Sequence, residues 1–132
     1  MAIEFVVSTL IPAKPEEVYD AWLSSKGHAA MTGSPATASA VVGAEFDAWD
    51  GYIHGKNLQL VPKKRIVQAW RTSEFSADEP DSRIEITLEA AGNETKLTLH
   101  HTGLPPHGGQ YEQGWVDSYF EPMKEYFSSR KV

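Results

Sequence analysis

The chain has 132 residues, with 12 Lys and Arg against 18 Asp and Glu, a formal net charge of −6 and 41% hydrophobic residues. That length and balance predict one folded domain, residues 1–132, that buries about two-thirds of its unfolded surface without metals or crosslinks. The acidic excess works against a nucleic-acid partner, and the absence of cysteine excludes disulfides and thiolate chemistry.

In chain order, residues 2–10 are rich in β-formers and predict a first strand, ended by Pro12. Glu4, Lys14, Glu16, Glu17 and Asp20 interrupt any signal-peptide core, and no apolar run approaches the ~18 residues of a membrane span. A cytoplasmic protein is therefore the expectation. Pro15 stands where a first helical turn tolerates proline, and Glu16 and Glu17 suit the positive end of the helix dipole. Val18, Ala21 and Trp22 form an apolar stripe, with Tyr19 beside it. Ser24 to Gly27 reads as a break, residues 28–31 as a short second helix, and Gly33 and Pro35 as its end.

Residues 37–42 and 45–49 read as strands. Asp50-Gly51 predicts a type I′ hairpin turn, because both central residues of that turn need positive φ. Residues 52–61 return antiparallel, Pro62-Lys63-Lys64 turns the chain, and 65–75 form a strand built on Ile66, Val67, Trp70 and Phe75. After a polar loop containing Pro80, residues 83–91 alternate through Ile84, Ile86 and Leu88. Gly92-Asn93 turns, and residues 94–102 alternate through Leu97, Leu99 and His101. Beyond the breaker-rich 103–109 connection the period becomes 3.6 over 110–130. Val116, Tyr119, Phe120, Met123, Tyr126 and Phe127 share one face there, with Trp115 at its edge. Pro122 predicts a kink or one loosened turn. The order β-α-α-β6-α, with short connections between strands, gives an α+β fold on an antiparallel sheet.

A curved sheet wrapped around one aromatic helix leaves an inner space. Trp115 and Tyr119 combine an aromatic body with a polar tip that can address a guest, while Trp49, Trp70 and Met123 supply further apolar lining. His54, Asn57, Gln68 and His101 are polar residues in strands among apolar neighbours, where an unpaired polar group costs about 1–3 kcal/mol. Each orients a guest, holds an ordered water, pairs internally or lies on the solvent face. Glu112, in the first turn of the last helix, is either a dipole-stabilising acid or an acid at the cavity mouth. His100, His101 and His107 do not make a metal site, because adjacent strand residues point to opposite faces and no HExxH or paired-cysteine pattern accompanies them. No nucleophile elbow or phosphate-binding loop is present, so no catalytic residue and no cofactor is assigned.

The segments PAKPEEVYDAW, FDAWDGYIHGKNLQLVPKKRIVQAWR, ITL, TKLTL, HTGLP and GWVDSYFEPMKEYF, in that order, cover nearly the whole chain. Together they resemble the START-like, or helix-grip, superfamily. Within it the chain is most similar to the C-terminal domain of the activator of heat-shock protein 90 ATPase and to stand-alone bacterial relatives. The resemblance implies a bent antiparallel sheet gripping the C-terminal helix, two small helices at one end, and a cavity that relatives use for lipids, polyketides, hormones and other apolar molecules. The eukaryotic co-chaperone has an N-terminal domain, supplying most of its chaperone contact, which these residues do not contain; ATPase stimulation therefore does not carry over from the resemblance. Three functions follow as expectations. The first is a binding module for a small hydrophobic molecule. The second is a stress-response partner of a heat-shock protein 90 homologue. The third, less favoured, is an enzyme using His54, His101 or Glu112 as acid and base.

Overall fold

A computed structural model describes residues 3–129; the ends of the expected first strand at residue 2 and of the last helix at residue 130 lie outside them. The strands are β1 (Ile3–Ile11), β2 (Glu45–Ala48), β3 (Ile53–Val61), β4 (Arg65–Thr72), β5 (Ser82–Ala91) and β6 (Glu94–Leu104). They form one antiparallel sheet in the order β1-β6-β5-β4-β3-β2. Helices α1 (Pro15–Trp22) and α2 (Ser25–Thr32) carry the chain from one edge strand to the other.

Helix α1 opens as its sequence dictates. Pro15 occupies the first turn, and the Glu17 carboxylate accepts the Lys14 backbone N–H at 3.1 Å. The break between the two helices is present but shorter than expected: Ser24, extended at φ −122°, ends it and caps α2, its hydroxyl accepting the Gly27 N–H at 3.1 Å. The second helix therefore begins earlier than the apolar pattern suggests.

Residues 37–42 are not a strand. Among them only Thr37 bridges to the sheet, at Asp47. The Asn57 side-chain amide captures the carbonyls of Ser39 and Val41 at 2.8 and 2.9 Å, which holds this stretch as a loop against β3. The fourth strand is also shorter than expected, because the chain turns after Thr72. That turn carries Glu74 away from the sheet. The Asp50-Gly51 turn is present: the Tyr52 N–H bonds the Trp49 carbonyl across it, and φ is +57° at Asp50 and +87° at Gly51.

The C-terminal rod has three parts: α3 (Gln110–Trp115), a π-helical turn (Val116–Phe120) and α4 (Glu121–Ser129). Proline at position 122 has no N–H for the Ser118 carbonyl, and the turn before it widens so that the Glu121 N–H reaches back to Val116. The inward rows of the sheet, including Ile66, Ile84, Ile86, Leu97 and Leu99, close on Phe120, Met123 and Phe127 of the rod, all nearly inaccessible to water. Dry packing of this kind supplies most of the stability. Among the described residues no helix is long and apolar enough to cross a membrane.

Candidate functional site

Beneath α4 the side chains of Met123 and Phe127 are almost fully buried, whereas the interior opens beneath α3 and the π turn. A cleft of about 520 Å³ lies there, between the start of the rod and the ends of β3 and β4. That size is in the range of small-molecule sites. Six of its eleven lining residues are aromatic: Trp49, Tyr52, Trp70, Tyr111, Trp115 and Tyr119. Ile53, Glu74, Gln110, Gly114 and Ser118 complete the wall.

The space exists because of what the helix lacks. Tyr111, Trp115 and Tyr119 recur every four residues and point inward, while Gly114 and Ser118 bring almost no side-chain volume to the adjoining row. A Cβ added at Gly114 meets nothing within 4 Å. Across the cleft stands Trp49, held at the hairpin with φ +54°, a conformation that costs a non-glycine residue roughly 1–2 kcal/mol. Strain of this kind collects at functional sites.

The aromatic wall is fixed from behind by two histidines. The Trp115 indole donates to His101 Nδ1 at 3.0 Å, and Ser82 Oγ lies 2.8 Å from His101 Nε2. Ser82 in turn donates to the Trp70 carbonyl at 2.8 Å. These partners require a neutral ring with its proton on Nε2. Protonation would set a second N–H against the indole N–H. Burial, reinforced by the neighbouring His100, lowers the His101 pKa to about 3. On α2, His28 Nδ1 lies 2.9 Å from the Trp22 carbonyl and Nε2 lies 2.7 Å from the Tyr119 hydroxyl, so the phenol donates to a neutral ring. Burial also lowers the His28 pKa. The Tyr119 pKa is raised by burial, partly offset by the nearby Trp49 indole, whose buried N–H meets no acceptor in good geometry.

A pH dependence follows. The folded state refuses a proton that an unfolded His101 takes up below its ordinary value of 6.5. Stability is therefore full above that pH and falls as pH drops towards 3, by about 1.4 kcal/mol per unit. Urea melts should show a loss of about 2 kcal/mol between pH 7 and pH 5 from this residue, with His28 adding in the same direction. Equal stability at the two pH values would mean that these rings are not held neutral.

At the mouth of the cleft the Tyr52 hydroxyl donates to the Glu74 carboxylate. Burial and then the Glu74 hydrogen bond raise the Tyr52 pKa. Thr72 Oγ1 lies 2.6 Å from the Tyr111 hydroxyl and accepts the Glu74 N–H at 3.2 Å, so the acid's backbone and side chain are both anchored.

Of the residues expected to line the cavity, the cleft brings together Trp49, Trp70, Trp115 and Tyr119. Five do not line it. Met123 lies in the solid core one turn beyond, and His101 lies behind Trp115. Gln68 is buried, donating to Asn57 Oδ1 at 2.8 Å and accepting the Trp22 indole N–H at 3.3 Å. His54 and Glu112 are exposed. None of the three acid–base candidates therefore faces the cleft. His100, His101 and His107 do not converge: parity turns His101 inward and His100 outward to Glu4, and His107, beyond β6, meets Glu79. Sequence reasoning missed Tyr52 and Glu74, because both sit just outside strand ladders where no periodicity marks direction. The paired small residues Gly114 and Ser118 were a legible signal.

A curved antiparallel sheet gripping its C-terminal rod over an aromatic cleft defines a helix-grip domain of the START-like class. The family model described as Activator of Hsp90 ATPase homolog 1-like protein matches residues 12–128, and the chain belongs to that family. It is 34% identical over 114 residues to the human Activator of 90 kDa heat shock protein ATPase homolog 1, an alignment taking in 86% of this chain and 33% of the human protein. The chain spans about a third of the length of the curated relatives it matches. An HSP90 activator from Plasmodium falciparum superposes with a TM-score of 0.85 at 20% identity, over 96% of each chain. The Aha1 dimer from Colwellia psychrerythraea gives 0.79 at 16% identity, over 97% of this chain and 98% of that one. These two structures support the fold.

Proposed function

We propose that this domain is a binding module whose aromatic cleft takes a small apolar molecule. The observation that carries the reading is a cleft of about 520 Å³ walled by six aromatic side chains. A guest there replaces water against apolar surface, at about 25 cal/mol per Å² buried, and stacks on rings already locked by His28 and His101. The test uses Gly114. A leucine there enters open space, and removing a helical glycine favours folding by itself. Gly114→Leu should melt no lower than the parent yet lose at least about tenfold in affinity for an apolar fluorescent probe. Unchanged probe binding by a folded Gly114→Leu protein would place the binding elsewhere.

The family supports a second reading, in which the domain serves a heat-shock protein 90 homologue as a cofactor. That function would use the outer surface. It is separable from the first: binding to purified chaperone should survive Gly114→Leu and be lost on reversal of surface charge.

A further inference from the structure

Glu74 is the one charged residue in the cleft wall, and among the described residues it has no ion-pair partner. Some acids outside the cleft are engaged, Asp81 with Arg71 at 2.9 Å and Glu85 with Arg65 at 2.6 Å. The protein's own cation over a ring, Arg71 above Phe75 at 5.3 Å, lies outside the cleft wall. The cleft thus presents one uncompensated carboxylate, held by Tyr52 and by its own backbone, at the rim of an aromatic box.

From this juxtaposition we infer that the cleft selects organic cations: molecules with an apolar body and an ammonium group, the body and cationic head against the rings of Trp49, Trp70 and Trp115 and the charge answered by Glu74. The inference rests on the cleft-binding reading above and adds the chemical class of the guest. Three physical facts favour it. Aromatic faces are negative and attract a cation brought within about 6 Å. A neutral guest gains nothing from Glu74, which is exposed at the rim and keeps its water. An anionic guest meets both the carboxylate and the ring faces with repulsion. The phenol of Tyr52 uses one carboxylate oxygen and leaves acceptor capacity for a ligand N–H or for a quaternary head packed against it.

The experiment compares benzyltrimethylammonium with its uncharged carbon isostere, neopentylbenzene, and with phenylacetate. Each is titrated into the parent, Glu74→Gln and Gly114→Leu proteins and followed by NMR. The expected result is that the cation binds the parent about tenfold more tightly than the isostere. Phenylacetate should be weakest. Glu74→Gln should remove most of the preference by lowering the cation's affinity, and added salt should weaken the cation alone. Equal affinity for cation and isostere, or a preference that survives Glu74→Gln, overturns the selectivity and leaves the apolar cleft standing. Absence of binding by all three, or binding that Gly114→Leu does not disturb, sinks the cleft reading as well.

Discussion

Gly55→Ala should abolish the fold, the largest effect expected of any single methyl group in this protein. Gly55 sits near the start of β3, opposite Phe46 on β2 and Trp70 on β4. A Cβ built there lies 1.8 Å from the Ala69 carbonyl oxygen and 2.9 Å from Phe46 Cε2. The first obstacle is backbone, so no rotamer change relieves it. The β3 and β4 strands must part where they pair, and the Asn57–Gln68 hydrogen bond two residues on loses its register. The cost should exceed about 4 kcal/mol, against the ~5–15 kcal/mol by which whole domains are stable. Circular dichroism and urea melts should show a largely unfolded or insoluble protein, whereas Gly114→Ala, with no neighbour to meet, should melt at or slightly above the parent. A Gly55→Ala protein within about 1 kcal/mol of the parent would mean that the strands are not paired as described.

Trp115→Ala should rank second. The ring is buried and touches Trp22, Trp70 and Tyr119 at centroid separations of 6.2, 5.6 and 4.9 Å. Truncating a buried aromatic of this kind costs about 3–5 kcal/mol. Loss of the indole N–H also strands His101 Nδ1, which otherwise has its acceptor role filled. A ring left facing an enlarged, wetter cleft no longer resists its proton, so His101 should titrate nearer 6.5 than 3 in a folded Trp115→Ala protein. Trp115→Phe separates the two effects. It keeps most of the packing and should lose only about 1–2 kcal/mol with the hydrogen bond. Equal losses for alanine and phenylalanine would assign the whole effect to that bond and none to the aromatic stack.

Much of this architecture was legible because its elements are half-buried and local. The alternation of Ile84, Ile86 and Leu88 and of Leu97, Leu99 and His101 reports strands with one face in the core. Pro122 announces the π turn, because a missing N–H needs no tertiary context to act. Where the reading failed, a distant group decided. Val41 and Val42 look like strand residues, yet the Asn57 side chain takes the carbonyls of Ser39 and Val41. His54 looks inward among apolar neighbours, but Ile53 beside it is buried, and parity then sends His54 out. Gln68 and His101 were placed inward correctly. Whether each faces a guest or a protein partner depends on residues 11 to 46 positions away, Asn57, Ser82 and Trp22 among them, and no periodicity encodes that. Glu74 was hidden by a strand that stops at Thr72, three residues before its apolar pattern does.

The central claim is that a guest sits against Trp49, Trp70 and Trp115. The chain has four tryptophans, and the fourth, Trp22, is buried outside the cleft wall. Fluorine NMR of protein carrying 5-fluorotryptophan, titrated with a small apolar ligand, reads all four at once. The expected spectrum has large, saturable shifts at Trp49, Trp70 and Trp115 and the smallest shift at Trp22. Shifts confined to Trp22, or four resonances that stay still while ligand demonstrably binds, would contradict the cleft as the binding site.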